Sequence, residues 1–190
     1  MESILTKPKE EIVDLLRYHK YLVSYLKSEA KYEDKIWVIK QVLPKQLLIQ
    51  WAVAVARSVE HYFTEKHPSD KRVTELLDFM ESIKDFENMS KAQIEKLNKL
   101  KNAAAYYAAA ADAAANAAYA AYHAANAAAY HAANAAAYAA YAYAAAAYAA
   151  DSADASKNKE KQKELNIQLA IKTIIKEDIV TGKQIGRAHV

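Results

Sequence analysis

Residues 103–155 read AAAYYAAAADAAANAAYAAYHAANAAAYHAANAAAYAAYAYAAAAYAADSADA, in which 35 of 53 residues are alanine. Alanine loses no side-chain entropy in a helix and buries no polar group, so the run predicts helix from local energetics alone. An unbroken helix from Ser90 to Ala150 would extend roughly 90 Å at about 1.5 Å per residue, far beyond a compact domain of this size. One or two breaks are therefore expected. Residues 112–116 and the vicinity of Asn134 are the places for them, because Asp and Asn tolerate caps and turns.

A methyl side chain buries little apolar area, so an alanine contact gains less hydrophobic stabilisation than a leucine contact at about 25 cal/mol per Å². Its compensation is close approach of helix axes, which adds dispersion contacts along the whole interface. On a helical wheel at about 100° per residue, Asp112, Asn116, Tyr119, His123, Asn126, Tyr130, Asn134, Tyr141 and Tyr148 fall in one stripe if the helix is unbroken. Tyrosine and asparagine combine rigid contact area with adaptable hydrogen bonding. Asn116, Tyr119, His123, Asn126, Tyr130, Asn134 and Tyr141 are accordingly the candidates for binding a partner. In the competing reading, which takes precedence, the tyrosines fill gaps beside leucine-rich helices, since wide alanine contacts need large residues nearby to complete a core. The octad AYHAANAA occurs twice, at 121–128 and 129–136. Eight residues turn a helix about 80° past whole turns, so duplication of low-complexity DNA explains the octads better than selection for one face.

Upstream of the tract, Ser90-Lys91-Ala92-Gln93 fits a capping box, and Ile94, Leu97 and Leu100 follow at helical spacing. Ser69 is placed to cap a preceding helix whose core face is Val73, Leu76, Leu77, Met80 and Ile83, ending near Phe86. Leu48, Trp51, Ala52, Val55, Val59, Tyr62 and Phe63 define an amphipathic helix over 45–66, closed by His67-Pro68. The segment 36–43 is assigned to helix, closed by Pro44, and residues 10–30 to a first helix carrying Ile12, Leu15, Leu22 and Leu26. Downstream, a polar run at 157–164 leads into a final helix with Leu165, Leu169, Ile171, Ile174 and Ile175. The expected fold is all-α, a compact multi-helix bundle with closely packed alanine-rich helices, forming one domain over 1–180. Residues 185–190 read like the in-frame translation of a common short-read sequencing adapter, so 181–190 is expected to be a tail, disordered or artefactual.

Composition removes several function classes. Only Gly182 and Gly186 are glycine, which leaves no phosphate-cradling loop of the Walker or dinucleotide type. Without cysteine there is no disulfide framework, thiolate metal site or cysteine nucleophile. The net charge of +3 is spread thinly: residues 1–102 hold 18 Lys and Arg against 16 Asp and Glu. No nucleic-acid face is expected from such a distribution. No membrane partner is expected either, because Asp112, Asn116, His123 and Asn126 would have to be desolvated in lipid. The start of the chain has acidic residues where a signal peptide has an apolar run, so a cytoplasmic location is expected. His123 and His131 stand eight apart, whereas helical metal ligands stand three or four apart; no metal and no cofactor is expected. Glu60, His61 and Tyr62 are adjacent and point in different directions on a helix, and no serine sits in a nucleophile elbow. The chain is read as a non-enzyme. Alanine-rich ice-binding helices present regular threonines, and residues 103–155 have none.

The run Leu48 to Ala52 around Trp51, with Ala56, Val59 and Phe63, is followed by His67-Pro68-Ser69-Asp70-Lys71-Arg72. This combination resembles immunity protein family five of bacterial polymorphic toxin systems, over about residues 44–151. In that family a tryptophan-alanine helix leads to a Pro-x-Asp-x-Arg turn, a further amphipathic helix and alanine-rich helices. The resemblance implies an all-α protein that protects its producer by binding a cognate protein toxin, often a nuclease, without catalysis. It implies structural roles for Trp51, Pro68, Asp70 and Arg72: Trp51 in the core, Asp70 and Arg72 fixing the turn. Two acidic positions common in the family's tryptophan helix are Ala54 and Arg57 here, and the proline often following the arginine is Val73. The alternative function is a helical small-ligand-binding or sequestering protein of a mobile element.

Overall fold

The computed structural model describes residues 19–105, 113–129, 144, 145, 148, 149, 151 and 158–181. Among them seven helices are delimited and no strand occurs: α1 (His19–Leu26), α2 (Tyr32–Val42), α3 (Lys45–Lys66), α4 (Arg72–Ser82), α5 (Lys91–Ala105), α6 (Ala113–Ala129) and α7 (Lys159–Thr181). The fold is all-α. Residues 182–190 and the segment before His19 lie outside the described residues.

Helix α3 is the axis of the molecule because its apolar residues cover more than one face. Trp51, Ala52, Val53, Val55, Ala56 and Val59 are all buried, so the helix needs neighbours nearly all round. Its most extensive contact is with α6, and α7 packs on it as well. Helices α4 and α5 complete the α6 side, while α1 and α2 lie against α7.

Local chemistry sets several boundaries. Gln93 accepts from the Ser90 N–H at 2.8 Å while Ser90 Oγ accepts from the Gln93 N–H at 3.3 Å, so the capping box starts α5. Helix α3 runs from Lys45 to Lys66, the span its periodicity predicts. Helix α1 stops at Leu26, short of the expected end near Ala30, where Ser28 Oγ bonds the Tyr25 carbonyl and accepts from the Ala30 N–H. The cap of α4 also differs from expectation. The Arg72 N–H goes to the Asp70 carboxylate at 3.0 Å, not to Ser69, since a full negative charge suits the positive end of a helix better than a hydroxyl does.

Helix α4 ends at Ser82, four residues before Phe86. Gln46 of α3 explains why: its side chain donates to the Lys84 carbonyl at 3.0 Å and accepts from the Phe86 N–H at 2.9 Å. Asp85 then accepts from the Asn88 side-chain amide and from the N–H groups of Glu87 and Asn88, and these bonds, the side-chain one foremost, hold its pKa below the usual carboxylate value. Leaving the helix lets Ile83, Phe86 and Met89 all reach the core, which a helical path would not.

The alanine tract is not a rod. Helix α5 ends at Ala105, α6 begins at Ala113, and the two pack together. Residues 106–112, with Asp112 among them, lie outside the described residues, and Asn116 lies inside α6. The other expected break, near Asn134, lies outside the described residues. Ala120, Ala121, Ala124, Ala125, Ala127 and Ala128 are fully buried, as small side chains admitted between close helices must be.

Candidate partner-binding surface

Of the stripe of Tyr, Asn and His, the described residues place His123, Asn126 and Tyr148 as follows. His123 stacks on Tyr148 with ring centres 5.1 Å apart and planes 5° apart. Twenty-five residues along one helix would separate them by about 38 Å, so the chain reverses between them and two parts of the stripe meet. Tyr122 sits edge-on to His123 at 5.2 Å. Asn126 is buried, Asn116 is half-buried, and Ala145 and Ala149 are buried alongside. Burial lowers the His123 pKa, because the seam penalises an imidazolium. Tyr119 lies on α6 by its backbone; Tyr130, Asn134 and Tyr141 are outside the described residues. Among the described stripe residues Asn126 is the buried one, while His123 and Tyr148 are half-buried.

Trp51 is fully buried, and its Nε1–H donates to the Asn166 carbonyl of α7 at 2.9 Å. It heads a buried polar chain that sequence reasoning missed. Asn166 Nδ2 donates to the Tyr32 hydroxyl at 3.1 Å, its Oδ1 accepts from Gln162 at 2.9 Å, and Gln162 also donates to Ser58 Oγ at 2.8 Å. Three helices are thereby keyed together, since a shift of α7 by one residue would strand several buried polar atoms. The available signal was Gln162 and Asn166 standing four apart, facing the apolar side of α7 with Ile174 and Ala170. At the turn after α3, Pro68 is exposed, and Asp70 accepts from the Arg72 guanidinium through Oδ1 at 3.1 Å and Oδ2 at 2.7 Å.

Polar chemistry at the surface gathers where α3 meets α4. Arg57 reaches Glu60 at 2.6 Å, Asp78 at 2.6 Å and Glu81 through both oxygens at 3.0 Å. Burial works against its charge, but the bonds to Glu81, Glu60 and Asp78 outweigh it and raise the guanidinium pKa further. Thr74 donates to Glu60 from α4. Glu60 is thus committed to Arg57 and Thr74.

Beside this cluster lies a cleft of about 450 Å³ between α3, the end of α4 and α7. Met80, Ile83 and Phe86 form its buried floor; Ala54, Lys172 and Lys176 stand at its edge. A second cleft of about 770 Å³ separates α1 and α2 from α7, with Leu26, Ile167 and Ile171 against Lys27, Lys35 and Lys163. Among the described residues no three His, Asp or Glu come together as a metal site, and no helix is long and apolar enough to cross a membrane.

The profile of a family described as Imm-5 like putative immunity protein matches residues 40–170. The span starts within α2 and ends within α7, taking in Trp51, the Pro68–Arg72 turn, the Arg57 cluster and the alanine helices. No curated protein and no solved structure matches the chain.

Proposed function

We propose, from the premise that this chain belongs to the Imm-5 like putative immunity protein family, that it binds and neutralises a cognate bacterial toxin by occupying the toxin's surface. The family match over residues 40–170 is the observation that carries this reading. Membership implies a protein toxin as partner and a non-enzymatic role; nuclease toxins are the first class to try. The Arg57 cluster and the adjoining cleft support the reading, because together they offer charged and apolar groups on one side of the bundle.

A small-ligand-binding protein would be favoured by a pocket lined by tyrosines between the alanine helices. Among the described residues two clefts lie against α7. Co-expression with the toxin encoded beside this gene is expected to restore growth, and the purified pair to co-elute. Failure of every adjacent toxin to be bound or neutralised would overturn the proposal.

A further inference from the structure

Helix α7 does not turn its most apolar side to the core. Ile167, Ile171, Ile174 and Ile175 follow the three-and-four spacing of an amphipathic stripe, and on a wheel at about 100° per residue they fill one arc of about 100°. Asn166 stands about 80° outside that arc, and Gln162 about 120° outside it. Burial by apolarity alone would centre the arc on the core and turn both amides toward solvent. The fold does otherwise. Asn166 is 0% exposed and Gln162 7%, while Ile171 and Ile175 are only half-buried.

Hydrogen bonds account for the difference. The Trp51 Nε1–H goes to a main-chain carbonyl, a group that every residue of α7 offers, so this bond does not tell one face of the helix from another. The side-chain bonds do. Gln162 Nε2 donates to Ser58 Oγ of α3 at 2.8 Å and to Asn166 Oδ1 at 2.9 Å, and Asn166 Nδ2 donates to the Tyr32 hydroxyl of α2 at 3.1 Å. A rotation of α7 onto its isoleucines, or a slide by one turn, would break these bonds and set hydrocarbon against Ser58 and Tyr32. Buried polar groups of this kind add little net stability, yet they discriminate between arrangements because every other one leaves them unpaired. We infer that the bonds among Ser58, Gln162, Asn166 and Tyr32, and not apolar burial, select the face and register in which α7 docks. Helix α7 supplies one wall of each cleft, through Leu169 and Lys172 in the first and Ile167, Ile171 and Lys172 in the second. Gln162 and Asn166 are therefore positioning residues for both clefts, whatever the partner.

The chain has no cysteine, so two spin labels can be attached where they are wanted. Glu65 of α3 and Lys161 of α7 are both exposed, and labels on E65C/K161C report the placement of α7 through their separation, measured by double electron–electron resonance on the full chain. Three backgrounds are compared: wild type, N166L, and Y32F/S58A/Q162M/N166L, which replaces all four side chains by apolar ones of similar size. The wild type is expected to give one narrow distribution. N166L alone, which leaves the buried Gln162 amide without its carboxamide partner, is expected to lower the melting temperature by about 5 °C or more. The fourfold variant is expected to keep its helical circular dichroism and regain at least about half of that loss, because it leaves no buried amide unpaired. Its distance distribution should nevertheless show a population displaced by about 5 Å, the rise of one helical turn. An unchanged narrow distribution in the fourfold variant would overturn the inference, since apolar packing would then place α7 by itself. A fourfold variant that unfolds, or melts as low as N166L, would overturn it too, because the bonds would then supply stability and not the choice of face.

Discussion

Helix α3 meets two neighbours by different means. Against α7 it presents Trp51, whose large ring is buried and whose N–H is tied to the Asn166 carbonyl, with Ser58 bonded to Gln162 a further two turns along. Against α6 the partner surface is built from methyl groups, with Ala120, Ala121, Ala124, Ala125 and Ala128 fully buried. On the wheel Ala52 and Ala56 stand about 100° and 140° round from Trp51, so α3 turns its own small residues to a different side. The first contact gains its stability from buried area and a hydrogen-bonded register. The second gains it from proximity, and holds its register only by the shape of close backbones. A large residue is therefore indispensable on one side and inadmissible on the other.

Removing the large residue should have the greatest effect. Trp51→Ala is expected to lower stability by about 3–5 kcal/mol, combining a cavity with the lost hydrogen bond to the Asn166 carbonyl; denaturant unfolding measures it, and a loss under 1 kcal/mol would break the contrast. The mirror experiment enlarges the alanine side. Ala124→Leu is expected to cost about 1–3 kcal/mol by overpacking, although leucine is a good helix former and buries more area. A neutral or stabilising Ala124→Leu would show that α3 and α6 are not closely packed.

Smaller effects sharpen the same picture at its edges. Asp70→Ala should lower stability by about 1 kcal/mol through loss of the α4 cap, with Asp70→Asn recovering most of it because the amide oxygen still accepts the Arg72 N–H. The last prediction concerns pH. The folded pKa of His123 lies below its ordinary value of 6.5, so the unfolded chain takes up the proton first. Stability is then complete above pH 6.5 and falls as pH drops through the unfolded value toward the folded one. Unfolding midpoints of wild type and His123→Phe, compared from about pH 7.5 to 5, should converge or cross as the wild type alone loses stability. Parallel curves would show that the alanine seam tolerates the charge.

Much of the helical layout was legible beforehand. The 45–66 helix and the Ser90–Gln93 box rest on contacts between residues three or four apart, which sequence spacing displays directly. Ends decided by remote residues were not legible. Gln46 terminates α4 from 38 residues away through the Lys84 carbonyl, and no local pattern announces that bond. The buried chain from Trp51 through Asn166 to Tyr32 was invisible for the same reason: its partners stand 115 and 134 residues apart. The meeting of His123 with Tyr148 was not legible because wheel arithmetic assumes one straight helix, on which the two rings would stand far apart. Identical methyl groups give no sign of where the chain reverses.

By itself the sequence determined that the chain is helical, that glycine loops and cysteine chemistry are absent, and that Trp51 and the Pro68–Arg72 turn mark its family. Those are properties of single residues and near neighbours. Tertiary structure alone decided that His123 stacks on Tyr148, that Asn126 is buried, that Arg57 is held among Glu60, Asp78 and Glu81, and that a cleft opens between α3, α4 and α7. Each depends on which helices meet, and that is settled by the fit of large and small faces over the whole bundle, not by the order of residues along any one helix.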